Sequence, residues 1–353
     1  MILNTGCRTD IPAYYSKWFY NRVRAGYVCT RNPYCPEQVL KYRLDPEVVD
    51  ILCFCTKNPT PMLPQLAELD RFRQFWFVTL TPYGREIEPH VPDKGAVPES
   101  IRQLSAAVGS KAVGWRYDPI FITEKYSVEY HLQAFEKMAS ALQNRVNSCV
   151  ISFLDLYEKT KRNFPAARAV TAQEQKYLAA RFAEIGAKYG IPIRTCCENA
   201  SLAQCGVDVS GCMTKSVLET AADCHLTVPK KKKSPRAQCS CLLGADIGMY
   251  NTCPHGCIYC YANYDRRTVA RNVKLHDPDS PFLIGGFHEG DKVIEVQQES
   301  YIDRQIALLL IKKPVNLYDR RCRQSAKPRQ YRTRQSSPSI SRNASLLPLP
   351  PAR

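Results

Sequence analysis

Three cysteines in the last third of the chain have the spacing of a metal-binding loop. They lie in Cys253-Pro-His-Gly-Cys257-Ile-Tyr-Cys260, with three and then two residues between them. Thiolates at this spacing on one tight loop can bind three corners of a cubane, because soft sulfur suits iron–sulfur clusters. Gly256 gives the backbone the freedom that such a loop needs. The sequence predicts that Cys253, Cys257 and Cys260 bind a 4Fe-4S cluster, whose fourth iron has no protein ligand.

A structural zinc site is the alternative for the same segment. Cys239, Cys241 and His255 add candidate ligands, and zinc prefers four sulfur or nitrogen ligands. Zinc ribbons usually contain two C-x2-C pairs, whereas only Cys257 and Cys260 have that spacing here. A third reading makes Cys239 or Cys241 the fourth ligand of a closed cluster, which would suit a non-catalytic electron-transfer protein. If the open cluster is correct, replacement of Cys239 or Cys241 leaves it in place.

Alternating apolar runs and helical patterns predict the body that positions these groups. Thr171-Ala-Gln-Glu174 is a capping box that opens a helix ending at Gly190, and another helix is predicted over 127–144. Strand–helix alternation is typical of a parallel sheet. We therefore predict an α/β, TIM-barrel-like domain over residues 1–228. Five apolar runs predict its buried strands: Val48–Cys55, Phe75–Leu80, Ala112–Arg116, Cys149–Leu154 and Ile191–Cys196.

Charged and polar residues follow nearly every predicted strand. In a barrel these strand ends meet on one side, where ligands and catalytic groups gather. We predict catalytic or substrate-positioning roles for Lys57, Arg116 and Asp118, whose charges can bind a cofactor or a substrate. Cofactor-binding roles are predicted for three further residues at the same ends: Thr81, Asp155 and Glu198.

Composition and charge set the remaining expectations. The net charge of +16 is concentrated at the C-terminal end, where 312–353 is predicted to be a disordered basic tail. The four lysines of 229–237 predict a solvated linker, followed by a Cys-rich cluster-binding module over 238–311. The tail gives only weak support for nucleic-acid binding. Seventeen cysteines, no visible signal peptide and no apolar stretch longer than Ile306–Ile311 predict a cytoplasmic protein without a membrane span.

One long motif lies near the C-terminal end of the folded region: Asp246-Ile-Gly-Met-Tyr-Asn-Thr-Cys-Pro-His-Gly-Cys-Ile-Tyr-Cys-Tyr-Ala-Asn263. It resembles the signature of an uncharacterised bacterial domain-of-unknown-function family, which is itself similar to radical SAM (S-adenosylmethionine) proteins and has some likeness to spore photoproduct lyase. The resemblance covers nearly residues 1–300. Four other stretches agree: Arg8-Thr-Asp-Ile-Pro-Ala13, Thr56-Lys-Asn-Pro59, Leu80-Thr-Pro-Tyr-Gly84 with Ile87-Glu-Pro89, and Trp115-Arg-Tyr-Asp-Pro-Ile120.

The resemblance implies SAM as a second cofactor and a redox partner. In radical SAM enzymes the open iron binds SAM, and one electron from the cluster cleaves it to a 5′-deoxyadenosyl radical. A flavodoxin- or ferredoxin-type protein would supply the electron. Because the loop normally follows the first strand, its late position here implies a circularly permuted barrel in which Asp246–Asn251 is the strand before the loop. The resemblance names no substrate.

Overall fold

The computed structural model describes residues 1–228 and 239–303. Short 3-10 segments cover Thr60–Leu69, Ser110–Ala112 and Ala200–Cys205. The α-helices are α1 Ile11–Tyr14, α2 Ser16–Ala25, α3 Val97–Val108, α4 Val128–Leu142, α5 Glu158–Asn163, α6 Ala172–Lys188, α7 Lys215–Ala222 and α8 Arg266–Lys274. The strands are β1 Ile2–Asn4, β2 Tyr27–Asn32, β3 Cys35–Arg43, β4 Ile51–Thr56, β5 Gln74–Thr79, β6 Val113–Ile120, β7 Cys149–Phe153, β8 Ile193–Thr195, β9 Ala245–Asp246 and β10 Lys292–Glu295.

The main sheet has seven strands in the order β8-β7-β6-β5-β4-β1-β9. Every neighbouring pair is parallel, so all carboxyl ends meet at one edge. This confirms the predicted α/β fold with a parallel sheet. No pairing between β8 and β9 is found among the described residues, so closure into a barrel is not confirmed.

The buried strands contain the apolar runs that predicted them. All six residues of β5 are buried, and burial on both faces explains why its sequence is continuously apolar rather than alternating. On one face the ring of Phe135 in α4 stacks on Phe182 in α6, with centroids 4.0 Å apart, and on Trp115 in β6 at 4.7 Å. The predicted capping box is present. The side chain of Thr171 accepts from the backbone N–H of Glu174, and the side chain of Glu174 accepts from the backbone N–H of Thr171.

The cysteine-rich segment is joined to the main sheet rather than set apart. β9 pairs with β1, and β10 adds to a small second sheet with the order β10-β3-β2. The strand expected over Asp246–Asn251 is only the two residues Ala245–Asp246. The predicted linker 229–237 and tail 312–353 lie outside the described residues. None of the described helices is long and apolar enough to cross a membrane.

Candidate functional site

A cavity of about 460 Å³ lies at the carboxyl edge of the main sheet. Its walls come from the ends of the parallel strands and from the loop that follows β9. We call it the central cavity, and we call residues 253–260 the cluster loop. The predicted site residues that line it are Lys57, Arg116, Asp118, Asp155, Cys253, Cys257 and Cys260.

Two predicted cofactor-binding residues do not line the central cavity. Thr81 is fully buried, and its hydroxyl donates to Glu88 at 3.0 Å. Glu198 is half-buried, and its carboxylate accepts a hydrogen bond of 2.8 Å from the backbone N–H of Phe153 at the end of β7. Both side chains therefore support the cavity wall without lining the cavity.

The cluster loop is anchored through the ring of His255. Its Nε2 lies 2.7 Å from a carboxylate oxygen of Asp10, and its Nδ1 lies 3.0 Å from the hydroxyl of Tyr14. Asp10 also accepts from the backbone of Ala13 at the start of α1 and of Lys57 after β4. Because both ring nitrogens are engaged, His255 holds the loop on the sheet and is not free to bind zinc.

Backbone contacts fix the shape of the cluster loop. Gly256 has a φ of +69°, a left-handed conformation that favours glycine. The N–H of Cys260 donates to the carbonyl of Cys257 at 3.1 Å, and the amide of Asn263 donates to the carbonyl of Cys253 at 2.7 Å. The loop therefore curls within ten residues, as its spacing predicted.

Burial controls the protonation of the loop thiols. Desolvation raises the pKa of Cys253 well above its usual range and that of Cys257 to about 12. The positive charge of Lys57 acts on Cys257 in the opposite direction. At neutral pH these two side chains are thiols, and a metal that binds them must displace their protons.

Glu88 is the fixed negative charge beside the loop. Its fully buried carboxylate accepts from Lys57 at 2.8 Å, from Thr81 at 3.0 Å, and from Lys94 and Tyr259. Burial alone would raise the pKa of this carboxyl, but Lys57 and Lys94 outweigh burial and lower it to about 2. The site thus contains a charged carboxylate that pairs with two lysines.

Arg116 and Asp118 form an ion pair on the wall of the cavity. The guanidinium Nε lies 3.1 Å from a carboxylate oxygen of Asp118, and the guanidinium carbon lies 5.3 Å from the centre of the Phe77 ring. Between them, Tyr117 points into the core, where its hydroxyl lies 2.7 Å from His131. Arg116 and Asp118 can therefore contact a ligand, whereas Tyr117 packs.

Three buried polar atoms at the cavity wall have no hydrogen-bond partner within the described part of the chain. They are Asn4 Nδ2, Thr9 Oγ1 and Asn263 Oδ1. Buried polar groups are normally paired, because an unpaired one costs about 1–3 kcal/mol.

No group of three or more Cys, His, Asp or Glu side chains among the described residues is arranged to hold a single metal ion. Four ligands around one zinc, each about 2.3 Å from the ion, would have to point at one centre. No such convergence is found among the side chains of the described residues.

Reasoning from the sequence missed several site residues. Glu88 and Asp10 contact the cluster loop only in the folded chain. The motifs Ile87-Glu-Pro89 and Arg8-Thr-Asp10 contain these two residues and were the only sequence feature that could have pointed to them. Arg8 of the second motif forms an ion pair of 2.6 Å with Asp246 in β9. The sequence also gave no warning that Cys196 and Cys212 line the same cavity as the cluster loop.

The fold and the site define an α/β protein with a thiol-lined cavity at the carboxyl edge of a parallel sheet. The chain belongs to the family described as a domain of unknown function (DUF1848), whose model matches residues 2–262. The match spans the main sheet and the cluster loop, and it confirms the predicted membership of an uncharacterised family. No curated protein and no solved structure matches the chain.

Proposed function

We propose that this protein is an iron–sulfur enzyme of the radical SAM type, which cleaves SAM to act on a substrate that the sequence does not name. Cys253, Cys257 and Cys260 would hold a 4Fe-4S cluster. The observation that carries the proposal is the placement of all three thiols, from one loop, in the wall of the central cavity. Charged groups from neighbouring strands line the same wall.

The strand order supports a permuted radical SAM sheet. β9 stands beside β1, and from there the strands follow in chain order to β8. The cluster loop follows β9, so in space it comes after the first strand of the series. A radical SAM protein has its cluster loop at this position, although here the strand comes late in the chain.

The cavity suits SAM in size and in chemistry. Its volume of about 460 Å³ falls within the range of about 300–1,000 Å³ that is usual for small-molecule sites. Asn4, Thr9 and Asn263 belong to its lining, and side chains of these types pair with carboxylates, amino groups and hydroxyls. These are the polar groups that SAM carries, and the same three residues hold the unpartnered atoms.

The residues of the chain prepare the site for bound anions. When bound, a 4Fe-4S cluster supplies one electron to SAM and so starts radical chemistry. Lys57 lies near Cys257 and Lys159 lies near Cys260, where their positive charges offset those of thiolates. Glu88 holds Lys57 in place.

The ion pair of Arg116 and Asp118 offers a donor and an acceptor to SAM or substrate, as does Asp155 with its carboxylate. Thr81 and Glu198 act through Glu88 and Phe153, so in this proposal they are positioning residues. A flavodoxin- or ferredoxin-type protein would supply the electron.

The test is anaerobic reconstitution with iron and sulfide, reduction with dithionite, and measurement of 5′-deoxyadenosine formed from SAM. Replacement of Cys253, Cys257 or Cys260 by Ala should abolish the product, because an open cluster has no spare protein ligand. Cys224→Ala is the matched control, since Cys224 is half-buried and lies outside the cavity wall. Zinc in place of iron in anaerobically purified protein, together with no product, would contradict the proposal.

A further inference from the structure

Three thiols are in contact with one another in the wall of the central cavity, apart from the cluster loop. The sulfur of Cys212 lies 3.3 Å from that of Cys241 and 3.5 Å from that of Cys196. Cys212 is buried, whereas Cys196 and Cys241 are partly exposed, and all three line the cavity. Cys212 therefore contacts two other sulfurs at the wall of the same cavity, and we call these three residues the thiol triad.

Three separate parts of the chain bring the thiol triad together. Cys196 directly follows β8, Cys212 lies in the loop before α7, and Cys241 lies ahead of β9. The backbone N–H of Leu242 donates to the carbonyl of Met213 at 2.8 Å, and the N–H of Met213 donates to Cys241 Sγ at 3.3 Å. The segments that contain Cys212 and Cys241 are thus held together by hydrogen bonds in both directions.

The backbone approaches closely at the residue before Cys212. Gly211 has a φ of +116°, and a Cβ there would lie 2.8 Å from Ser240 Oγ and 3.6 Å from Cys241 Sγ. A side chain at this position would therefore crowd the segment that contains Cys241. Glycine permits the contact between Cys212 and Cys241.

The thiol triad differs in its chemistry from the cysteines of the core. Burial raises the pKa of Cys149 well above its usual range, so this residue remains a thiol at neutral pH. In the triad, the hydrogen bond from Cys212 outweighs burial and lowers the pKa of Cys241 to about 5 and that of Cys196 to about 7. Arg116, on the same wall, also lowers the pKa of Cys196. At neutral pH Cys241 is a thiolate, which is the form that attacks a disulfide.

Three simpler explanations account for less of this arrangement. A single metal ion would need three or more ligands directed at one centre, and no such group exists within the part of the chain that the structure describes. Packing explains why small apolar thiols are buried, but it does not explain two lowered pKa values at a cavity wall. A permanent disulfide would join two of the thiols and leave the third beside the bond, where a thiolate opens the bond by exchange.

We propose that the thiol triad is a site of thiol–disulfide exchange for low-molecular-weight disulfides that enter the central cavity. Cys241 attacks one sulfur of such a disulfide, forms a mixed disulfide and releases the first small thiolate. Cys212 then passes its proton to Cys196, attacks the sulfur of Cys241 and releases the second small thiolate. The small disulfide gains two electrons, which the sulfurs of Cys212 and Cys241 lose as the bond between them forms.

The third thiol moves the disulfide bond within the triad. Cys196, once deprotonated, attacks the sulfur of Cys212, which releases Cys241 as a thiolate and leaves a bond between Cys196 and Cys212. Either bond forms when two sulfurs that are 3.3 or 3.5 Å apart approach to about 2.05 Å. The site thus stores two electrons and exchanges them at the wall of the central cavity. The inference stands independently of the function proposed for the cluster loop.

The experiment treats the reduced full chain with oxidised glutathione in the absence of oxygen, blocks the remaining thiols by alkylation and maps the disulfides by mass spectrometry. Two bonds are expected: Cys212–Cys241 and Cys196–Cys212. C241A should form only the second bond, and C196A only the first. C212A should form neither, and glutathione should stay attached to Cys241. Cys224→Ala is the matched control and should form both bonds, since Cys224 is half-buried and lies outside the cavity wall.

The rate of glutathione release separates an exchange site from cysteines that only pack together. C241A should slow this release by roughly tenfold or more relative to Cys224→Ala, because it lacks the thiolate that attacks first. The triple variant C253A/C257A/C260A should form the same two bonds, which keeps this test separate from that of the cluster. A folded, unaltered chain in which Cys212 remains a thiol would overturn the inference. Equal rates of release in C241A and in the control would overturn it as well.

Discussion

Glu88 shows how a single residue organises the candidate site. It lies outside the cluster loop, yet it contacts that loop through Tyr259 and the central cavity through Lys57. A carboxylate with no exposed surface is stable only when it is paired and hydrogen-bonded, and here two lysines and two hydroxyls provide for this. The ion pair with Glu88 is also the reason why Lys57 can remain charged beside the buried thiol of Cys257.

Glu88→Gln is expected to lower the free energy of unfolding by about 3–5 kcal/mol, because removal of one partner leaves buried charges uncompensated. The measurement is urea-induced unfolding at pH 7. Glu86→Gln is the matched control, since Glu86 pairs with Lys125 on the surface, where both side chains are about half exposed. An exposed pair contributes only about 0–1 kcal/mol. Equal losses in the two variants would contradict the role given to Glu88.

Glu198 predicts a pH dependence of stability. Burial, with Asp118 and Asp155 nearby, raises the pKa of this carboxyl to about 7 from an ordinary value of 4.5. Between these values the folded chain binds the proton more tightly than the unfolded chain, so this contribution to stability decreases as pH rises.

Glu198→Gln removes that titration, and its stability relative to the unaltered protein should increase from pH 4.5 to pH 8. Urea unfolding at both pH values measures the change. Glu158→Gln is the control, because Glu158 is exposed and Lys161 lowers its pKa. A stability difference that stays constant over this range would show that Glu198 titrates normally.

At the scale of the element, β9 is the feature that places the cluster loop. It consists of two residues, and its pairing with β1 depends on a close approach at the preceding Gly244. A Cβ at Gly244 would lie 1.8 Å from the carbonyl oxygen of Ile2, which is a backbone atom that cannot move aside. Glycine is therefore required where the cysteine-rich segment joins the sheet.

Gly244→Ala should lower the free energy of unfolding by about 1–3 kcal/mol, because the added methyl group overpacks β9 against β1. It should also lower the iron retained after reconstitution, since the cluster loop follows β9. Gly286→Ala is the control, because a Cβ at Gly286 meets nothing within 4 Å. Unfolding and iron content that match those of the control would argue against this account of β9.

The elements also show how far the sequence could predict the fold. The strands buried on both faces were predicted because their apolar runs are long and rich in aromatic and β-branched residues. β1, with three residues, and β9, with two, carry too little pattern to be recognised, although they connect the cluster loop to the sheet. The small sheet of β2, β3 and β10 was also missed, because β10 is exposed and joins a distant hairpin.

The candidate site could be predicted only in part, because local patterns are visible in the sequence and contacts between distant residues are not. The cluster loop is local, so the spacing of its cysteines predicted its curl and the need for Gly256. The contacts of Glu88 and Asp10 with this loop join positions more than 160 residues apart, and only the fold determines them. The contacts of Cys212 with Cys196 and Cys241 likewise join separate parts of the chain.

At the scale of the whole molecule, the central cavity couples metal binding to folding. Its wall contains segments around residues 4–10, 53–57, 196–213 and 239–263, which are close together only in the folded chain. A metal centre that binds the folded chain and not the unfolded chain stabilises the protein by mass action. The proposed cluster should therefore raise the thermal stability of the folded chain.

Iron loading should raise the Tm of the full chain by roughly 8 °C. A ligand present at about 1,000 times its Kd stabilises the folded chain by about 4 kcal/mol. Each kcal/mol corresponds to about 2 °C in Tm for a chain of this size. Anaerobic calorimetry of the apo and reconstituted forms measures the shift. C253A/C257A/C260A should lose the shift, because it lacks the ligands of the proposed cluster, whereas Cys224→Ala should keep it. A triple variant that keeps the whole shift would show that the proposed cluster does not contribute to the stability of the fold.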